Sequence, residues 1–300
     1  LKKKSLLLFI MIRKDVDDLM DEAYKLVSAD KYLKALQYVY AVLRIKPKHI
    51  EALECLRDIY IYTRRPYHAF KVSNELIKFD KSLDNTIAHA RIYIFLEQFK
   101  EALKYLRMAE KMDPDDSIVI YSLGTLLIQL KEYEEAKKYL ERLVDMGVYF
   151  EHLAQYLSEI YFHTGEYEKS VDTLQKGIRL EGEKYELLGL LGDAYMMMEQ
   201  WSMSLKYYLK AQEQFGEDFR LYRSIGWVYC NLKNYDKGIK FLKRSLKINP
   251  NYIEGMLSLA LAYLASFQQE ESMKWFKKVL ELDPQNAIAK KYVKDIDNYF

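Results

Sequence analysis

The stretch FRLYRSIGWVYCNLKNYDKGIKFLKRSLKINPNY, residues 219–252, decides the fold. Tyr222, Ile225, Gly226 and Tyr229 recur at intervals of three, one and three residues, which places them on one face of an α-helix. Gly226 in that stripe predicts close approach by a second helix. Gly238, Leu242 and Ser245 repeat the pattern twelve or more residues later, and Pro250 then stops it, because proline has no amide hydrogen to continue the helical ladder. The stretch therefore reads as two packed helices ended by a proline.

The same pattern extends over most of the 300-residue chain. Pro250 and Pro284 are 34 apart, Pro114 and Pro250 are 136 apart, which is four times 34, and Pro47 and Pro114 are 67 apart, one short of twice 34. A second track agrees: Ala35, Ala69, Ala102, Ala136, Ser170, Ser204, Gly238 and Ser272 are separated by 34 or, once, by 33 residues. With this small residue as position 20, the chain divides into units 16–49, 50–82, 83–116, 117–150, 151–184, 185–218, 219–252 and 253–286. Position 11 then holds Tyr60, Tyr93, Tyr161, Tyr195, Tyr229 and Tyr263, so much of the excess of tyrosine, 27 in all, is structural. A hairpin of this length cannot bury both its apolar faces alone, so neighbours must stack.

This register resembles the tetratricopeptide repeat family over residues 16–286, with Tyr222, Ile225, Gly226, Tyr229, Gly238, Leu242, Ser245 and Pro250 at the signature positions. The resemblance implies an all-α, right-handed superhelical solenoid of eight tandem helix-turn-helix repeats. Residues 287–300, with Ile288, Tyr292, Val293 and Ile296 among lysines, are expected to form a C-terminal capping helix. The second unit departs from the pattern, with Arg57 at the small position 8, Pro66 at position 17, Ser73 at position 24 and one residue missing. Those departures predict irregular packing and a joint between the second and third units.

Composition excludes several classes of function. Lys and Arg number 46 against 44 Asp and Glu, a formal charge of +2, so no global field recruits nucleic acid. Cys55 and Cys230 have neither disulfide-framework nor zinc-ligand spacing. The longest apolar run, Leu6–Ile12, is far short of the roughly 20 residues that cross a bilayer. Residues 1–15 are expected to be an N-terminal extension, with residues 1–12 a flap over the first helix. A cytoplasmic location is expected; the alternative is export or membrane association through Lys2-Lys3-Lys4 and the apolar residues that follow. No Walker loop, GxGxxG, GxSxG or HExxH motif occurs, and a non-catalytic protein without cofactor is expected. His152 and His163 are separated by roughly 16 Å along a helix, too far to share one ion, so no metal site is expected.

Helical geometry turns positions 2, 9 and 13 of each first helix away from its partner, with positions 5, 6 and 12 flanking. In the resembled family that side is the concave groove. It carries Glu54, Asp58, Tyr62, Arg91, Phe95, Tyr121, Tyr156, Glu159, Asp193, Arg220, Arg223 and Trp227 as candidate partner-binding residues. Acids outnumber bases on this face, so the expected ligand is a protein or peptide segment with basic and apolar residues. Acidic residues at helix starts also favour the helix dipole, which accounts for part of the excess. Arg220, Arg223 and Trp227 form either a small anion and aromatic pocket or a set paired with neighbouring acids. The expected function is an interaction scaffold, with a chaperone-like or regulatory carrier of a secretion or assembly substrate as the alternative.

Overall fold

The structure is a computed structural model that describes residues 15–297. The extension or targeting role expected of residues 1–14 lies outside the described residues, as does the last turn of the expected cap, residues 298–300. The chain divides into two compact units, Leu1–Val148 and Tyr149–Phe300. In the first, four hairpins follow one another: α1 Val16–Ser28 with α2 Tyr32–Ile45, α3 Ile50–Tyr62 with α4 Pro66–Leu76, α5 Leu83–Phe95 with α6 Phe99–Met112, and α7 Ser117–Gln129 with α8 Tyr133–Asp145. In the second, α9 Leu153–Thr164 pairs with α10 Tyr167–Glu181, α11 Tyr185–Met197 with α12 Trp201–Phe215, α13 Phe219–Asn231 with α14 Tyr235–Ile248, and α15 Ile253–Ala265 with α16 Gln269–Leu282; α17 Ala287–Asp297 follows. Each unit is an all-α solenoid of stacked helix-turn-helix repeats.

Local chemistry sets where each helix starts and stops. Asp116 and Asp218 cap α7 and α13 by accepting the amides of Val119 and Leu221, each at 2.8 Å. Pro47, Pro114, Pro250 and Pro284 each sit two residues past a helix end. The turn inside every hairpin uses one device. A residue in the left-handed region follows the first helix, and the next amide reaches back five residues to the carbonyl of position 11, as in Arg65 to Tyr60, Gln98 to Tyr93, Asn234 to Tyr229 and Gln268 to Tyr263. Glycine fills that left-handed position at Gly165, whereas Asp30, Arg64, Glu97, Lys131, Glu199, Lys233 and Phe267 fill it elsewhere.

The small positions are contact points between helices. Ala35, Ala69, Ala102, Ala136, Ser170, Ser204 and Ser272 are wholly buried. A methyl group on Gly226 would sit 2.7 Å from Leu242 Cγ and 2.9 Å from the backbone oxygen of Gly238, so α13 and α14 meet nearly backbone to backbone. Gly192 likewise lies under the ring of Tyr208, 2.5 Å from where its own methyl would be. Outside this core, Asp115 pairs with Arg142, Glu183 with Lys210 and Glu217 with Arg244, each 27 residues apart. This recurring ion pair ties the end of one hairpin to the second helix of the next.

The irregular second hairpin is packed by polar means. Buried Arg57 donates through Nη1 to Asn85 Oδ1 at 2.5 Å and through Nε to Asp58 Oδ1 at 2.8 Å. Asn85 in turn donates to Asp80 at 2.9 Å. Ser73, fully enclosed, is 2.8 Å from His89 Nδ1. Pro66, out of place in the repeat register, stands at the first turn of α4, where its missing amide costs nothing. The division into compact units falls at Val148 and Tyr149, after the left-handed Gly147.

Candidate functional site

In the first unit the candidate residues lie on α3, α5 and α7. Tyr62 and Phe95 end their helices 61% exposed each, as Tyr67 is on α4 at 72%. Tyr62 is stacked on Tyr32 at 5.5 Å between ring centres. Arg91 is exposed, and Tyr121 and Glu54 are half-buried. Asp58 is half-exposed but committed to the Arg57 guanidinium. Glu51, Glu54 and Asp58 converge on Tyr24 of α1. Burial, then Cys55 and these three carboxylates, push its phenol up to about 12. This end of the first unit is therefore an acidic surface with aromatic rings in it.

The second unit places its candidates differently. Glu159 is exposed and Tyr156 half-buried on α9. Asp193 turns toward its own hairpin, where it accepts the hydroxyl of Tyr208 from α12. Burial is the first cause that raises its carboxyl above the usual range, against the lowering influence of that bond and of Arg223. The sequence reading made Asp193 a free acid of the groove. The structure gives it a neighbour across the hairpin, because the methyl-free Gly192 lets the Tyr208 ring reach over α11. On α13, Arg220 is exposed and lies 5.4 Å from the Phe219 ring centre, and Arg223 and Trp227 are half-buried. Arg223 Nε donates to Ser258 Oγ on α15 at 3.1 Å.

Periodicity did not reveal the residues that hold these groups: Arg57 for Asp58, Tyr208 for Asp193 and Ser258 for Arg223. A spacing of 35 between Arg223 and Ser258, one repeat plus one, was the available signal for the last of them. Metal-ligand geometry occurs at Glu151, His152 and Glu181, whose donor atoms lie within 4.8 Å of one another. His163 is not part of that group. The Lys184 ammonium already binds both carboxylates, 3.0 Å from Glu151 and 2.7 Å from Glu181, and supplies the positive charge they require. Among the described residues no helix is long and apolar enough to cross a membrane.

Residues 96–147, 219–252 and 253–286 each match tetratricopeptide repeat sequence profiles. No match is found among the curated proteins. Among solved structures, a chain of the APC/C hetero-tetramer Cut9–Hcn1 is similar over 92% of this chain, at 17% identity and a TM-score of 0.60. The present chain spans about half, 55%, of that protein's length. A tetratricopeptide repeat protein from Parabacteroides merdae ATCC 43184 is similar over 86% of this chain and 98% of its own, at 16% identity and a TM-score of 0.58. MamA from residue 41 to its end, from Desulfovibrio magneticus RS-1, covers 58% of this chain and 98% of its own length, at 17% identity and a TM-score of 0.53. These likenesses concern the fold, while the three matched segments carry the sequence signature that the stacked hairpins embody. At these three segments the chain carries tetratricopeptide repeats, which serve as scaffolds for protein interaction.

Proposed function

We propose that the protein is a non-catalytic scaffold, and that the first helices of its eight repeats present a face to a peptide segment of a partner protein. The observation that carries this reading is the pair Tyr62 and Phe95, large rings left 61% exposed at the ends of α3 and α5, in a unit that also gathers Glu51, Glu54 and Asp58 around Tyr24. Exposed aromatic groups and acids such as Glu54 on one unit suit a segment of basic and apolar residues, because the rings supply contact area at low entropic cost and the acids fix register. The eight-repeat division, with α17 as the terminal cap, belongs to the same proposal: a cap with a polar outer side ends the stack without exposing the last apolar face.

The test is affinity capture from cells followed by mass spectrometry, comparing the wild type with Glu54→Lys combined with Phe95→Ala. Asp58 is left intact because its loss would strand the buried Arg57. The partner captured by the wild type should be lost, with helicity by circular dichroism unchanged. Unchanged capture would overturn the assignment of this face. A partner bound tightly and weakened by salt fits the scaffold, whereas many clients held equally at high salt would favour a carrier.

A further inference from the structure

Position 18, the second residue of each hairpin's second helix, is polar or charged in six repeats: Lys100, Glu134, Glu168, Ser202, Asp236 and Glu270. Such residues suit a helix start, which is solvated and whose dipole favours acids. The first two repeats depart from this with Leu33 and Tyr67, 68% and 72% exposed, and neither α2 nor α4 has an acid in its first turn. Cations stand there instead. Lys31, Lys34, Arg64 and Arg65 are exposed and take part in no ion pair among the described residues. Residues 29–34 and 63–68 together hold these four cations against one acid, Asp30, which accepts from the Tyr32 hydroxyl at 2.7 Å. In the third repeat the corresponding stretch, residues 96–101, carries Glu97 and Glu101 against Lys100.

The two turns lie side by side. Tyr32, at the start of α2, stacks on Tyr62, at the end of α3, and the second turn begins with the next residue. Helical side chains lean toward the N-terminus of their helix, so Leu33 and Tyr67 reach out over the turns. Two apolar tips that protrude among solvated cations make no concave groove for a peptide, and Leu33 offers a nucleic-acid base no ring to stack on. They do match the surface of an anionic bilayer, where headgroup charge attracts Lys and Arg while Leu and Tyr settle at the boundary of headgroups and acyl chains. The sequence holds a second element of this composition in Lys2-Lys3-Lys4 and Leu6–Ile12, and stable membrane attachment ordinarily takes two weak signals.

We propose that the turn edge of the first two repeats rests on an anionic lipid surface, with Leu33 and Tyr67 inserted at the level of the headgroups and Lys31, Lys34, Arg64 and Arg65 against lipid phosphate and carboxylate groups. This surface is a property of the turns and does not rest on the peptide reading of the first helices.

The experiment sediments the full chain with vesicles of about three parts phosphatidylcholine to one of phosphatidylserine, and with vesicles of phosphatidylcholine alone. The wild type should pellet with the first, stay largely in solution with the second, and be released by salt. Arg64→Gln with Arg65→Gln should weaken binding to the anionic vesicles about thirtyfold, the loss of two cations at such a surface. Leu33→Ser with Tyr67→Ser should weaken it severalfold while the salt dependence stays in place. All four positions are exposed, so helicity by circular dichroism should be unchanged in both variants. Equal pelleting of the wild type and both variants would overturn the proposal, as would equal binding to vesicles with and without phosphatidylserine. Anisotropy with labelled mixed RNA and with a labelled oligoglutamate peptide covers the rival ligands. If either binds the wild type and is lost from the arginine variant while the vesicles are not bound, the edge serves that ligand and the lipid assignment falls.

Discussion

The second and seventh hairpins meet the same 34-residue frame by opposite means. In the seventh, Gly226 and Gly238 remove side chains altogether and let α13 and α14 approach until a backbone oxygen is in contact. In the second, Arg57 occupies the position equivalent to Gly226, and its bulk and charge are absorbed by Asp58 and by Asn85 of the following hairpin. Ser73 and His89 continue that polar seam, with His89 ringed by Phe70, Tyr93 and Tyr105 at 4.6–5.8 Å. The frame thus specifies a spacing between helices and leaves the chemistry that fills it free. What differs is the sensitivity of each solution: one to added volume, the other to a lost partner or a gained proton.

Gly226→Leu attacks the first solution at its narrowest point. The added side chain meets Leu242, which can rotate, and the Gly238 carbonyl, which cannot move without its helix. A loss of about 3 kcal/mol in denaturant unfolding is expected, at the upper end of overpacking. A loss below about 1 kcal/mol would mean that the two helices slide apart freely and that the contrast with the second hairpin is illusory.

The polar seam should show itself in pH instead. Burial, with a contribution from Arg57, holds the His89 imidazole down at about 4. A histidine depressed in the folded state binds its proton first in the unfolded chain, whose pKa is about 6.5, so stability is complete above that value and falls as pH drops toward 4. The fall should reach roughly 2 kcal/mol by pH 5, at about 1.4 kcal/mol per unit. His89 Nε2 has no hydrogen-bond partner among the described residues, so an imidazolium, which carries a proton on both nitrogens, would bury that one without an acceptor. Subtracting the pH dependence of a His89→Gln variant isolates the effect, and identical slopes in the two proteins would remove histidine from the account.

The smallest effect concerns what the two hairpins share. Arg64 and Lys233 hold the left-handed turn position at φ 54° and 62°. Replacing either by glycine should stabilise the protein by about 0.5 kcal/mol, the relief of backbone strain less the extra freedom of the unfolded chain. Gains that differ widely between the two sites would show that the turn is coupled to the packing beside it.

Positions 8, 20, 24 and 27 were legible in the sequence because burial forces small or apolar residues to recur, and Ala102, Leu106, Ala109 and their counterparts are buried where the period places them. The left-handed turns were not legible, since Asp30, Glu97, Lys131 and Glu199 hide a conformation that glycine would have advertised. Partner choice was equally hidden. Asp193 and Arg223 occupy positions assigned to the candidate face, yet what each binds depends on Tyr208 and Ser258, which lie elsewhere in the register and become partners only when helices pack. The division at Val148 escaped notice for a related reason: residues 146–152 between α8 and α9 preserve the period while forming a loop with left-handed residues at Gly147 and His152.

The one-turn device that closes each hairpin and the ion pairs 27 residues apart keep bonding short-ranged, and the bond from Arg223 to Ser258 spans only 35 positions. As the chain emerges from a ribosome at about 5–20 residues per second, the second member of each bond arrives within several seconds of the first. Every completed hairpin then offers a ready template to its successor, and assembly can keep pace with synthesis from one terminus to the other.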